Sequence, residues 1–159
     1  MSTAITANPS RVGSDRENLS FVSFVLGEND YAVNVSEVCG IYHGLSVIPN
    51  PDGPAFLEGE ILYRNHKVPI VNLRRFAGMS DAQFDRSGRW ILMVGDQNGP
   101  VGLVVDKVTE VIKLQPNAIE QTTEHVNSPV ANYVTAVANH RGRSMLVPDF
   151  NRLLHDAIS

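Results

Sequence analysis

A mainly β fold, a barrel or sandwich of two similar subdomains followed by one C-terminal helix, is what this sequence predicts. Three observations carry that expectation. Apolar residues recur with the period of strands, in short segments bounded by turn residues. Helical spacing is clear only at the C-terminus. Two blocks of the first half also recur, in the same order, in the second half. The size agrees, since 159 residues that are 43% hydrophobic and 19% charged have ordinary globular composition. A chain of this length buries roughly 70% of its unfolded surface without disulfides or metals.

Taken in order, the polar residues 1–19 lack both the apolar core of a secretory signal and the hydrophobicity of a membrane span. They read as a flexible tail preceding a domain of residues 20–159. From Phe21, FVSFVL, the polar break GEND and YAVNV make a hairpin, and a helical turn is expected over Ser36 to Cys39. HKVPIVNL reads as a strand. Its Pro69 lacks a backbone donor, which points to a sheet edge. A second helical turn follows at Leu73 to Ala77.

WILMV, the turn DQNG and PVGLVV form the next hairpin, in which Asn98-Gly99 supplies the positive φ angles of a tight turn. A third helical turn is expected over Asn117 to Glu120, before a hairpin running from YVTAVA through NHRGR to SMLV. Asp149 then caps a helix that places Phe150, Leu153, Leu154, Ala157 and Ile158 on one face.

The internal repeat is read from two alignments. VNVSEVCGI (33–41) lies over LVVDKVTEV (103–111), pairing Val33 with Leu103, Val38 with Val108 and Ile41 with Val111. GEILYRNHKVPIVNL (59–73) lies over AVANHRGRSMLVPDF (136–150), pairing Arg64 with Arg141, Asn72 with Asp149 and Leu73 with Phe150. Two matches in one order favour a pair of similar β-subdomains.

Charge and chemistry exclude several function classes. Thirteen basic against seventeen acidic residues leave a net charge of −4, so no general basic field invites nucleic acid. A single cysteine, Cys39, cannot form an internal disulfide and fits a reducing, cytoplasmic compartment. It reads as a small buried hydrophobe. No apolar stretch is long enough for direct membrane insertion. His43, His66, His125, His140 and His155 lack ligand spacing, and no nucleophile–base pair, carboxylate pair or phosphate loop appears. The expectation is a non-enzymatic protein without metal, nucleotide or other cofactor, in which Asp106 caps the turn that follows it.

Three blocks carry a resemblance. FVLGENDYAVNVSEVCGI, PAFLEGEILYRNHKVPIVNLR and PVGLVVDKVTEVIKL resemble the signature blocks of the bacterial CheW-like coupling family and of the matching regulatory domain of CheA kinases. The resemblance implies two intertwined five-stranded SH3-like β-barrels around a shared core. It also implies a cytoplasmic adaptor that joins the cytoplasmic domain of a methyl-accepting chemoreceptor to a CheA-like histidine kinase and is recruited to chemoreceptor arrays. Its partner-binding positions fall on Val38, Gly40, Arg64 and Asn65. Val38 matches a position lining the groove between barrels where a receptor tip packs, and Arg64 offers a forked donor beside it.

The departures from the family pattern lie near that surface. Asn65 stands where a glycine is usual, which predicts an altered turn. Asn72 replaces an aspartate, and Gly40 a frequent glutamate. A kinase-binding competitor or regulator that does not bind receptor, and a small enzyme with a cleft between barrels, are the alternative readings.

Overall fold

The computed structural model describes residues 18–80, 89–96, 99–122 and 130–158. The expected tail therefore lies outside the described residues except for Asn18 and Leu19, and Leu19 already pairs with Leu114. β1 (Leu19–Leu26) and β2 (Asn29–Asn34) form the first hairpin, and a 3-10 turn at Val35–Glu37 leads into β3 (Val38–His43). β4 (Ile48–Pro49), β5 (Leu57–Tyr63), β6 (His66–Asn72) and the short helix α1 (Leu73–Phe76) complete the first half. The second half repeats this series. It runs through β7 (Trp90–Asp96), β8 (Gly99–Val105), β9 (Lys107–Leu114), a 3-10 turn at Pro116–Ala118 and β10 (Ile119–Gln121). A 3-10 turn at Ala131–Tyr133, β11 (Val134–His140), β12 (Arg143–Pro148) and α2 (Phe150–Ile158) follow. The three hairpins, three helical turns and terminal helix expected from the sequence are all present, with Asn98 outside the described residues.

Two six-stranded sheets result, ordered β10-β11-β12-β2-β1-β9 and β3-β7-β8-β6-β5-β4. Each consists of five long strands and one short edge strand, β10 or β4. The halves are intertwined: β1 and β2 leave the first half to join β9 to β12, while β7 and β8 return to join β3 to β6. Each exchange is made by a parallel pair, β12 with β2 and β6 with β8.

The burial pattern shows how the sheets curl. Phe21, Ala32, Ile112, Leu114, Ala138 and Met145 form a core drawn from the first sheet alone. Ile61, Val68, Ile70, Ile91, Met93 and Val104 form another from the second sheet alone. A core lined by strands of one sheet requires that sheet to fold back on itself, so each is barrel-like. The third and largest core joins them, packing Phe24, Leu26 and Tyr31 with Leu92, Val94 and Leu103. α2 seals it with Phe150, Leu153, Leu154 and Ala157. A helix of this length is unstable alone, so the side chains it buries, each worth about 1.5–3 kcal/mol for the large ones, hold it in place.

The repeat extends to individual hydrogen bonds. Asn72 N donates to Phe56 O and Asp149 N to Tyr133 O, each at 2.7 Å. Asn72 Oδ1 then accepts from Arg75 N at 3.1 Å, and Asp149 Oδ1 from Arg152 N at 3.2 Å. Matching bulges interrupt β5 between Leu57 and Gly59 and β11 between Val134 and Ala136. A second matching pair places the extra residue at Cys39 in β3 and at Thr109 in β9.

Two sequence expectations need correction. β6 lies inside its sheet, between β5 and β8, and not at an edge. Pro69 is accommodated because the parallel pairing with β8 begins only at Ile70, so that flank of the strand is unpaired at the proline. Cys39 is exposed and not buried, because the bulge it occupies lifts it out of the pleat. Asp106 is structural, as expected, but it ties down the β1–β2 turn and not the turn that follows it. Its carboxylate accepts from Gly27 N at 2.8 Å and takes a two-pronged contact from Arg74, Nε to Oδ1 at 2.6 Å and a terminal nitrogen to Oδ2 at 2.8 Å. This ties the first hairpin, α1 and the end of β8 together.

Candidate functional site

The four positions singled out from sequence fall on β3 and on the β5–β6 turn. Val38 closes the Val35–Glu37 turn by donating its N–H to Val35 O. It pairs with Val94 and packs, half-buried, on the core shared by the barrels. Beside it Glu37 has its carboxyl raised above the usual value by burial and, secondarily, by the negative charge of Asp149.

Past the bulge at Cys39 the strand reverses its faces. Gly40 pairs with Met93 and Tyr42 with Ile91, both residues of the second barrel's own core. Ile41 and His43 pair with Leu92 and Trp90 on the inter-barrel side. One inserted residue thus places Val38 and Gly40 on opposite faces of the same strand.

Arg64 and Asn65 are the two central residues of the β5–β6 hairpin, flanked by the pair Tyr63 and His66. Their φ angles are 51° and 65°, the doubly left-handed arrangement of the tightest hairpins. Asparagine tolerates this region better than other side-chain-bearing residues. With asparagine in place of the glycine, the turn still has both central φ angles in the left-handed region. Arg141 and Gly142, the matching turn of the other half, have φ angles of 52° and 78°.

Both Arg64 and Asn65 are exposed. The guanidinium of Arg64 lies over the Tyr63 ring, 5.1 Å from its centre. Tyr63 meets Tyr42 edge-to-face at 6.5 Å and 73°. Burial, then the hydrogen bond and charge of Tyr63, raise the Tyr42 hydroxyl above its usual pKa. A Cβ at Gly40 would stand 2.7 Å from the Tyr42 ring. Gly40 and Arg64 are therefore linked through two tyrosines, while Val38 belongs to a different surface.

That second surface contains Ile41, 39% exposed and paired with Leu92. His43 stacks there on Trp90 with ring centres 4.2 Å apart and planes 8° from parallel. Sequence reading missed Ile41, Tyr42 and Tyr63, whose signal was only the alternation of a half-exposed strand and an aromatic residue before a turn. Among the described residues no group of three or more His, Cys, Asp or Glu side chains could hold a metal ion. None of the helices described is long and apolar enough to cross a membrane.

Known proteins with this arrangement of strands identify the family. A family model described as the CheW-like domain matches residues 20–157. The chain belongs to the CheW-like family. The chemotaxis protein CheW of Klebsiella aerogenes is 27% identical to it over 150 residues, covering 93% of this chain and 89% of that one. The probable chemotaxis protein CheW of Rhizobium etli is 30% identical over 111 residues, covering 69% and 68%. Among solved structures, the scaffolding protein TtCheW from Thermoanaerobacter tengcongensis superposes with a TM-score of 0.74 at 25% identity, covering 82% of this chain and 88% of its own. The intertwined pair of sheets described above is thus the CheW fold, and the departures at Gly40, Asn65 and Asn72 are accommodated within it.

Proposed function

We propose that this protein is a cytoplasmic, non-enzymatic adaptor that couples the cytoplasmic tip of a methyl-accepting chemoreceptor to a CheA-like histidine kinase in chemotaxis or motility signalling. The observation that carries this reading is the match to the CheW scaffolding protein over most of both chains. Residues 20–159 form the coupling domain. The receptor engages, by helix-in-groove packing, Val38 on the inter-barrel surface and Gly40, Arg64 and Asn65 on the separate surface formed by the other face of β3 and the β5–β6 turn. The homologous regulatory domain of the kinase docks elsewhere, and receptor signals reach the kinase as shifts in docking geometry.

The chemistry of the surface favours binding over catalysis. Arg64 is an exposed forked donor on a two-residue turn, and Ile41 extends the apolar surface on which Val38 lies. A receptor fragment titrated against Arg64→Glu and Val38→Ala tests the assignment. Arg64→Glu is expected to keep its melting temperature and its kinase binding while receptor affinity falls by about 2–5 kcal/mol. Val38→Ala is expected to lower both stability and receptor affinity. Unchanged receptor affinity in Arg64→Glu would overturn the receptor assignment.

A further inference from the structure

We propose that Tyr42 and Tyr63 form a platform that positions Arg64 to grip a carboxylate of the partner, with Gly40 serving to seat Tyr42. This rests on the receptor-binding reading of Arg64 and extends it to three residues and one ligand chemistry. The exposed arginine occupies a left-handed backbone conformation, which is costly for a side chain of its kind. A tight turn fixes where its Cα stands but leaves a long, flexible side chain unrestrained. The Tyr63 ring supplies that restraint from below.

A guanidinium held over an aromatic ring is restrained by cation–π attraction, and its N–H donors, which lie in its own plane, stay available to a partner. A carboxylate takes such donors with two parallel hydrogen bonds. Tyr63 is held in turn by Tyr42, whose ring meets it edge-on, and both rings pack on the second barrel's core. Tyr42 can lie where it does because position 40 has no side chain: a Cβ there would stand 2.7 Å from the ring. A residue read from sequence as a contact thus acts through the next residue on its own face of the strand.

The internal repeat provides a control. Arg141 sits in a turn of the same backbone shape, but the residue matching Tyr63 is His140 and that matching Tyr42 is Ile112. The second turn therefore presents an arginine without the tyrosine pair.

The test measures dissociation constants for a chemoreceptor cytoplasmic fragment, with thermal unfolding of every variant. Arg64→Ala is expected to weaken binding about 10- to 100-fold, and Arg64→Lys to recover little of the loss because lysine lacks the fork. Tyr63→Leu is expected to weaken binding about 2- to 5-fold, while Tyr63→Phe, which keeps the ring under the cation, stays near the parent. Gly40→Ala should resemble Tyr42→Leu, and Arg141→Ala should bind as the parent does.

The decisive comparison is Tyr63→Leu in the Arg64→Ala background, where the effect of the tyrosine is expected to vanish. An equal effect of Tyr63→Leu with and without Arg64, at unchanged melting temperature, overturns the platform while leaving Arg64 as a receptor contact. Unchanged affinity in Arg64→Ala overturns the receptor reading and the platform with it. Should Tyr63→Leu fail to fold, Tyr63→Phe and Gly40→Ala supply the comparison: a tenfold loss in the former or none in the latter contradicts the platform.

Discussion

The side-chain amide of Asn72 donates to the buried carboxylate of Glu58 while its carbonyl oxygen caps α1 by accepting from Arg75 N at 3.1 Å. Both ends of the amide are in use, one as donor and one as acceptor. An ionised aspartate can only accept. Glu58, with just 4% of its side chain exposed, also pairs with Arg89, so the acidic group of this locus lies on β5 and not at position 72. In this chain the carboxylate beside the α1 cap is supplied by Glu58.

Asn72→Asp is therefore expected to destabilise this chain by about 2 kcal/mol, through a lost hydrogen bond and the approach of two carboxylates. Urea unfolding measures the effect. Combining it with Glu58→Gln should recover most of the loss, since the glutamine amide can donate to the new aspartate. An Asn72→Asp variant as stable as the parent would show that the amide's donor end is dispensable.

The same carboxylate sets a pH dependence. Burial, the largest influence on Glu58, pushes its pKa up, but hydrogen bonds from Arg89 and Asn72 and the charges of Arg89 and Arg75 together hold it below its ordinary 4.5. The folded state thus favours the ionised form, and the stabilisation is complete above 4.5 and lost as pH falls through the lower folded value. The melting temperature of the parent should drop more steeply on acidification than that of Glu58→Gln. Parallel curves for the two proteins would show that Glu58 takes no part in the acid transition.

Asp106 offers a second test of the fold. It and Arg74 expose only 11% and 17% of their side chains, and Asp106→Ala leaves the guanidinium and the Gly27 N–H without their shared acceptor. A loss of about 3 kcal/mol is expected, together with faster amide exchange at Gly27. A change under about 0.5 kcal/mol, the range of ordinary surface substitutions, would mean that water replaces the carboxylate at no cost.

The hairpins were legible because their strands alternate cleanly and their turns carry Gly or Asn, and α2 because Asp149 precedes a helical apolar stripe. The repeat was legible from residue pairs such as Asn72 and Asp149, which prove to be matching helix caps. β3 and β9 were harder to read. Each is an edge strand with much of its length exposed and a bulge, at Cys39 or Thr109, that breaks the period of two on which strand recognition depends. The same bulge explains the misplacement of Cys39 and why Val38 and Gly40 do not share a face. Pro69 misled because a sequence shows a missing donor but not that pairing with the neighbouring strand begins only at Ile70. At the candidate site, Arg64 and Gly40 stood out as residues beside turns and departures. Tyr42 and Tyr63 read as ordinary strand aromatics, because their relation to Arg64 depends on β3 and β5 converging from opposite ends of one sheet.

Coupling requires that receptor and kinase be held at the same time, which neither a kinase competitor nor an enzyme would do. The most direct measurement is co-sedimentation of a chemoreceptor cytoplasmic fragment, assembled on vesicles, with a CheA-like kinase in the presence and absence of this protein. The expected result is that addition of the protein increases the kinase recovered with the vesicles, that all three proteins sediment together, and that Arg64→Glu abolishes the increase while still binding kinase in solution. Kinase binding with no retention on receptor-bearing vesicles, or reduced kinase recovery when the protein is added, would contradict the adaptor role.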